Sequence, residues 1–101
     1  MKPSRFSALN ILGRKWAVVW DYKDARYYGQ SDMNPGRISI RPDLDSFMER
    51  DTLLHEVLHS ILRQQGRPYR PVEEEYVNAL ATGLTAVLDS NPKLRKYLCA
   101  N

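Results

Sequence analysis

Apolar residues come in short clusters over the first forty positions and then recur every three or four residues, so the chain predicts strands first and helices afterwards. Ser7 to Leu12 and Lys15 to Asp21 are rich in Val, Ile and Trp and flank Gly13-Arg14, which predicts a β-hairpin around a tight turn. Trp16 and Trp20, four apart in the second of these runs, share a face and are expected in the core. The following ARYYGQSDMNPGR carries Gly29, Asn34-Pro35 and Gly36 and reads as irregular chain. Arg37 to Arg41 alternates polar and apolar positions, putting Ile38 and Ile40 on one face of a half-buried strand that Pro42 stops.

The remainder is helical by pattern. Asp45 or Ser46 can cap a helix running to about Gln65, where Gly66 and Pro68 end it. Pro71 suits the first turn of a second helix, and Glu73, Glu74 and Glu75 favour its positive end. That helix carries Tyr76, Val77, Leu80, Ala81, Leu84, Val87 and Leu88 at helical spacing and stops before Asn91-Pro92. Pro92 to Leu98 predicts one or two further helical turns. The expected fold class is α+β: N-terminal antiparallel β-strands followed by two packed helices, in one domain spanning residues 1–101.

Composition narrows the partners. The 101 residues suit one modest core, and no run approaches the ~18 apolar residues of a membrane span. The start MKPSRFSALNILGRKW lacks the apolar stretch of a signal peptide, so a cytoplasmic protein is expected. The net charge of +3 comes from basic residues scattered among acids, which argues for a solvated surface over a nucleic-acid footprint. With one cysteine, Cys99, neither an internal disulfide nor a Cys-rich metal knuckle can form. Any metal must be held by His and carboxylate.

Both histidines stand in TLLHEVLHSIL, within the first helix. At about 100° per residue His55 and His59 lie about 40° apart on one face, so two imidazoles can converge on one ion. They border the stripe Leu54, Leu58, Ile61 and Leu62, where packing can hold the rings while one side stays open. Glu56 falls on the outer side of that border, poorly placed as a ligand and well placed to touch an activated water. Zinc hydrolysis divides labour in this way: neutral His nitrogens and one further ligand hold Zn2+, an open position takes water, and a carboxylate acts as general base. H-E-x-x-H on a helix is a known metalloprotease pattern.

The third ligand must then be Asp or Glu, and VEEEYVNALATGL supplies candidates. Projected on the second helix, Glu74 lies on the border of the apolar stripe, Glu73 within it, and Glu75 points away. Packing two helices stripe to stripe brings border to border, which favours Glu74, with Glu73 the alternative. Asn78, one turn on, could hydrogen-bond a ligand. Tyr69 and Tyr76 could steady an oxyanion, although aromatic packing accounts for either. Asp51, Arg37 and Arg41 read as solvent-facing charges.

These motifs resemble the small HExxH proteins of bacteriophages and bacteria, similar to minimal gluzincin-like metallopeptidases. The resemblance runs from about Ile11 to Pro92, through ILGRKWAVVW, RISIRPDL, TLLHEVLHSIL and EEEYVNALATGL. It implies a zincin-like domain that hydrolyses peptide or protein substrates with a metal-activated water. His55, His59 and most closely Glu74 would be the zinc ligands, Glu56 the general base, and Arg37 to Arg41 a strand pairing with extended substrate. The larger downstream lobe of bigger zincins is absent, which keeps a second class of function open: a non-catalytic binding or regulatory module whose helices zinc staples together.

Overall fold

The computed structural model of the protein describes residues 5–100. Its elements run β1 (Ala8–Ile11), β2 (Arg14–Val19), β3 (Gly29–Asp32), β4 (Arg37–Ile40), α1 (Ser46–Gln64), α2 (Pro71–Ser90) and α3 (Pro92–Leu98). This is the α+β order the pattern predicts. No helix of the described residues is long and apolar enough to cross a membrane.

The β1–β2 hairpin forms, with its turn at Leu12-Gly13, one residue earlier than the sequence suggests. Both turn residues have positive φ, 51° and 88°, the backbone that matches strand twist in a two-residue hairpin. The Asn10 side chain accepts from the Gly13 N–H at 2.8 Å.

The sheet itself corrects two expectations. Its order is β1-β2-β4-β3, with β1–β2 and β3–β4 antiparallel but β2–β4 parallel, so the sheet is mixed. The chain leaving β2 crosses to the outer edge before returning, and the stretch predicted to be irregular contains β3. A polar Gly-Gln-Ser-Asp strand has neither apolar alternation nor β-propensity to announce it; pairing with β4 creates it. Consequently β4 lies between two strands and cannot pair with a substrate. β3 is the edge. Because Tyr28 accepts from Arg41 N–H across the β3–β4 pair, the backbone groups of Gly29 and Ser31 fall on the outward side.

Ile11, Trp16, Ile38, Ile40 and Leu44 form the core under α1, joined by Leu53, Val57 and Ile61 of the helix. Trp16 is fully buried and donates through Nε1 to Gln64, while Trp20 packs at the rim and donates to the Phe6 carbonyl. The helix begins as its cap predicts, the Asp45 side chain accepting from Met48 N–H, and ends at Gln65 before Gly66 with φ 77°.

α2 runs antiparallel to α1. Arg50 makes a bidentate pair with Asp89, Thr82 donates to Asp51, and Glu74 meets the histidines at the opposite end. Asp51 is therefore an interhelical acceptor, where the sequence suggested only a solvent-facing charge. α2 buries Val77, Ala81 and Thr85, whereas Tyr76, Leu80, Leu84 and Val87 of the expected stripe are exposed. Helical periodicity marks that face as apolar without saying what covers it.

Candidate metal centre

Local chemistry puts the site where three elements meet: the middle of α1, the first turn of α2, and edge strand β3. Gly29 sets the closeness of the last. A Cβ there would lie 2.8 Å from the Ser39 carbonyl oxygen and 3.0 Å from Thr52 Cγ2, so only glycine lets β3 approach α1 this tightly. Two residues on, Ser31 lines the same cleft as Glu56, and its side chain acts to lower the Glu56 pKa.

The structure brings His55, His59 and Glu74 together. His55 Nε2 lies 2.9 Å from Glu74 Oε1, His59 Nε2 lies 2.9 Å from Glu74 Oε2, and the two Nε2 atoms are 3.1 Å apart. One ligand atom from each residue falls within 4.8 Å of the others. Glu73 does not join this cluster. Its Oε2 accepts from His59 Nδ1 at 2.6 Å, and its other oxygen accepts from Arg63. Burial acts to raise its pKa, but the hydrogen bonds from Arg63 and His59 outweigh burial and hold the carboxyl below its ordinary value.

The Glu73 contact places the His59 proton on Nδ1, which leaves the Nε2 lone pair facing the other two donors. Two imidazole lone pairs and a carboxylate about 3 Å apart repel unless a proton or a cation lies among them. Tetrahedral zinc with His and carboxylate ligands at roughly 2.0–2.1 Å spaces its donors about 3.3 Å apart, close to the 3.1 Å between the two Nε2 atoms, and a turn of the Glu74 carboxylate, whose oxygens each face one histidine, would present one of them to both. The donor set fits zinc.

Glu56 sits beside this cluster, not in it: its Oε2 is 3.9 Å from His55 Nε2. The residue is 7% exposed, and burial pushes its carboxyl above the ordinary value, opposed by the neighbouring histidines and by Ser31. The Glu74 side chain is 46% exposed and forms the open side of the centre.

A cleft of about 880 Å³ opens over these groups, bounded by Tyr22, Tyr28, Gln30, Ser31, Tyr69 and Asn78 among others. Tyr69 stands beside the His59 ring at 6.4 Å and under the Arg63 guanidinium, so it is wall and not core. Tyr76 points to solvent, away from any oxyanion role. Asn78 lines the cleft but makes no hydrogen bond to His55, His59 or Glu74. Arg41, expected in water, pairs with Asp43 and lies over Tyr28. Sequence reasoning missed Ser31, Gly29 and Tyr22, all in segments without a periodic signal; the Arg63 and Glu73 roles were hidden because they depend on how α2 is rotated. Comparison of the chain with protein-family models, with curated proteins and with solved structures finds no match in any of the three.

Proposed function

We propose that the protein is a zinc-dependent peptidase of the HExxH type, zincin-like in architecture, with His55, His59 and Glu74 as ligands and Glu56 as general base. The observation that carries this reading is the convergence of both Nε2 atoms on the two oxygens of Glu74, beside a separate buried carboxylate. Zinc bound there would supply Lewis acidity, bringing the pKa of water toward about 7 and polarising a scissile carbonyl.

The chain's own residues divide the remaining tasks. Glu56, desolvated and 3.9 Å from the nearest ligand nitrogen, takes a proton from the attacking water and returns it to the leaving amine. Glu73 keeps the His59 proton on Nδ1. The outward backbone groups of Gly29 and Ser31 offer an extended peptide the pairing first assigned to β4. Glu56→Gln should retain one zinc per chain while abolishing cleavage of a peptide library; cleavage at the unchanged rate would sink the proposal.

One observation favours a second reading. The ligands come from α1 and α2, and α2 buries only Val77, Ala81 and Thr85 of its own, so zinc would also tie the helices together, beside the Arg50–Asp89 and Thr82–Asp51 contacts. A binding or regulatory module stapled in this way would melt on chelation and show no hydrolysis with Glu56 intact.

A further inference from the structure

Four carboxylates line the cleft, and three of them cluster with the histidines. Glu74 meets both rings, Glu73 is held by His59 and Arg63, and Glu56 stands beside His55. Asp51 is the fourth. It is half-buried, and its Oδ2 accepts from the Thr82 hydroxyl at 2.9 Å. Among the described residues no cation pairs with it, and nothing hydrogen-bonds its Oδ1. A carboxylate oriented by one hydrogen bond and left without a counter-charge favours a cation brought from outside.

Its place on α1 says what carries that cation. With Met48 as zero and about 100° per residue, His55 and His59 fall about 20° to either side, Thr52 and Glu56 about 40° and 80° toward β3, and Asp51 about 60° toward α2. The contacts agree, since Gly29 of β3 packs on Thr52 and Thr82 of α2 on Asp51. One turn before His55 the cleft floor is therefore Thr52, Met48 and Asp51 in order across it, with Tyr28 as the wall on the β3 side. Methyl groups, a thioether and a ring lead to a single carboxylate. That profile fits a long basic side chain, whose alkyl stem packs while its head finds a charged partner.

The strand edge sets the direction of the peptide. β3 runs the same way as α1, with Gly29 at Thr52 and Ser31 further on by Glu56. A peptide paired antiparallel with β3, the stronger of the two ladders, runs the opposite way, so the chain beyond the metal heads toward Asp51. Four residues of helix put Asp51 only about 6 Å along the axis from His55, within reach of a side chain next to the scissile bond. Resting on the peptidase reading, we infer that Asp51 selects a lysine or arginine immediately after the bond that is cut.

The test uses the zinc-loaded full chain and a peptide library whose cut sites are mapped by mass spectrometry. Cuts should fall before Lys and Arg, with kcat/KM on the order of tenfold to a hundredfold above the same peptide carrying norleucine there. Asp51→Asn, which keeps an acceptor for Thr82, should remove the preference, and Asp51→Lys should turn it toward Glu. Peptide binding to Glu56→Gln, read by fluorescence anisotropy, decides the matter apart from turnover. The Lys peptide should bind about tenfold tighter than its norleucine twin, and adding Asp51→Asn should close the gap. Cuts indifferent to the basic residue, or a preference that survives Asp51→Asn, overturn the inference and leave the peptidase standing. Binding that ignores the basic residue overturns it as well. Tighter binding of the Lys peptide with no cleavage of any peptide supports the subsite and sinks the peptidase.

Discussion

Glu73 Oε2 lies 2.6 Å from His59 Nδ1, so the residue next to Glu74 fixes the tautomer of His59. Adjacent positions on α2 thus do different jobs. Glu74 reaches across to both Nε2 atoms, and Glu73 reaches behind His59, where Arg63 holds its other oxygen. Removing an outer carboxylate of this kind typically costs about 10–100-fold in metal affinity. Glu73→Ala should therefore still load one zinc per chain, but with affinity lowered within that range in a chelator competition. Glu74→Ala should lose stoichiometric zinc altogether. Equal loss in both variants would show that Glu73 is itself a ligand.

Gly29→Ala should be destabilising well beyond a surface substitution. Its Cβ would sit 2.8 Å from a backbone oxygen that cannot swing aside, so β3 must move off α1. Overpacking of this kind costs about 1–3 kcal/mol. The same displacement moves Ser31 and the cleft wall it shares with Glu56, so urea midpoint and turnover should fall together. A variant with native stability and reduced activity would separate the two effects.

Acid should loosen the far end of the helix pair. The hydrogen bonds from Arg50 hold the Asp89 carboxyl below its ordinary value of 3.8. A carboxyl depressed on folding adds stability that is fully present above its unfolded value and lost as pH falls through the lower folded one. Asp89→Asn should therefore lower stability at neutral pH and narrow its gap to the wild type as pH drops below about 4. Both residues are open to solvent, so high salt should shrink the effect. Urea titrations across this range compare the two chains.

The helices were legible because their ends are written in local chemistry. Asp45 caps α1, Gly66 stops it, Pro71 opens α2 and Asn91-Pro92 closes it, each through backbone geometry that needs no distant partner. The His55–His59 spacing is equally local, and border-to-border packing favoured Glu74 over Glu73, the residue the structure sets beside both Nε2 atoms being Glu74. What escaped the sequence depends on partners far along the chain. β3 is a strand only because β4 lies beside it, and the parallel β2–β4 pairing follows from where the Trp20–Tyr28 connection leads. The rotation of α2 was hidden for a related reason: its apolar arc is wider than the strip α1 can cover, so periodicity left open which part is buried.

An open sheet edge is ordinarily a hazard, since any extended chain, including another copy of the same one, can add to it. β3 offers only four residues, all polar or glycine, and ends in Asp32. Its free backbone groups at Gly29 and Ser31 suffice to align a short visiting segment but fall well short of a template for fibril growth. The brevity that hid the strand from a reading of hydrophobic pattern is thus also its safeguard against aggregation.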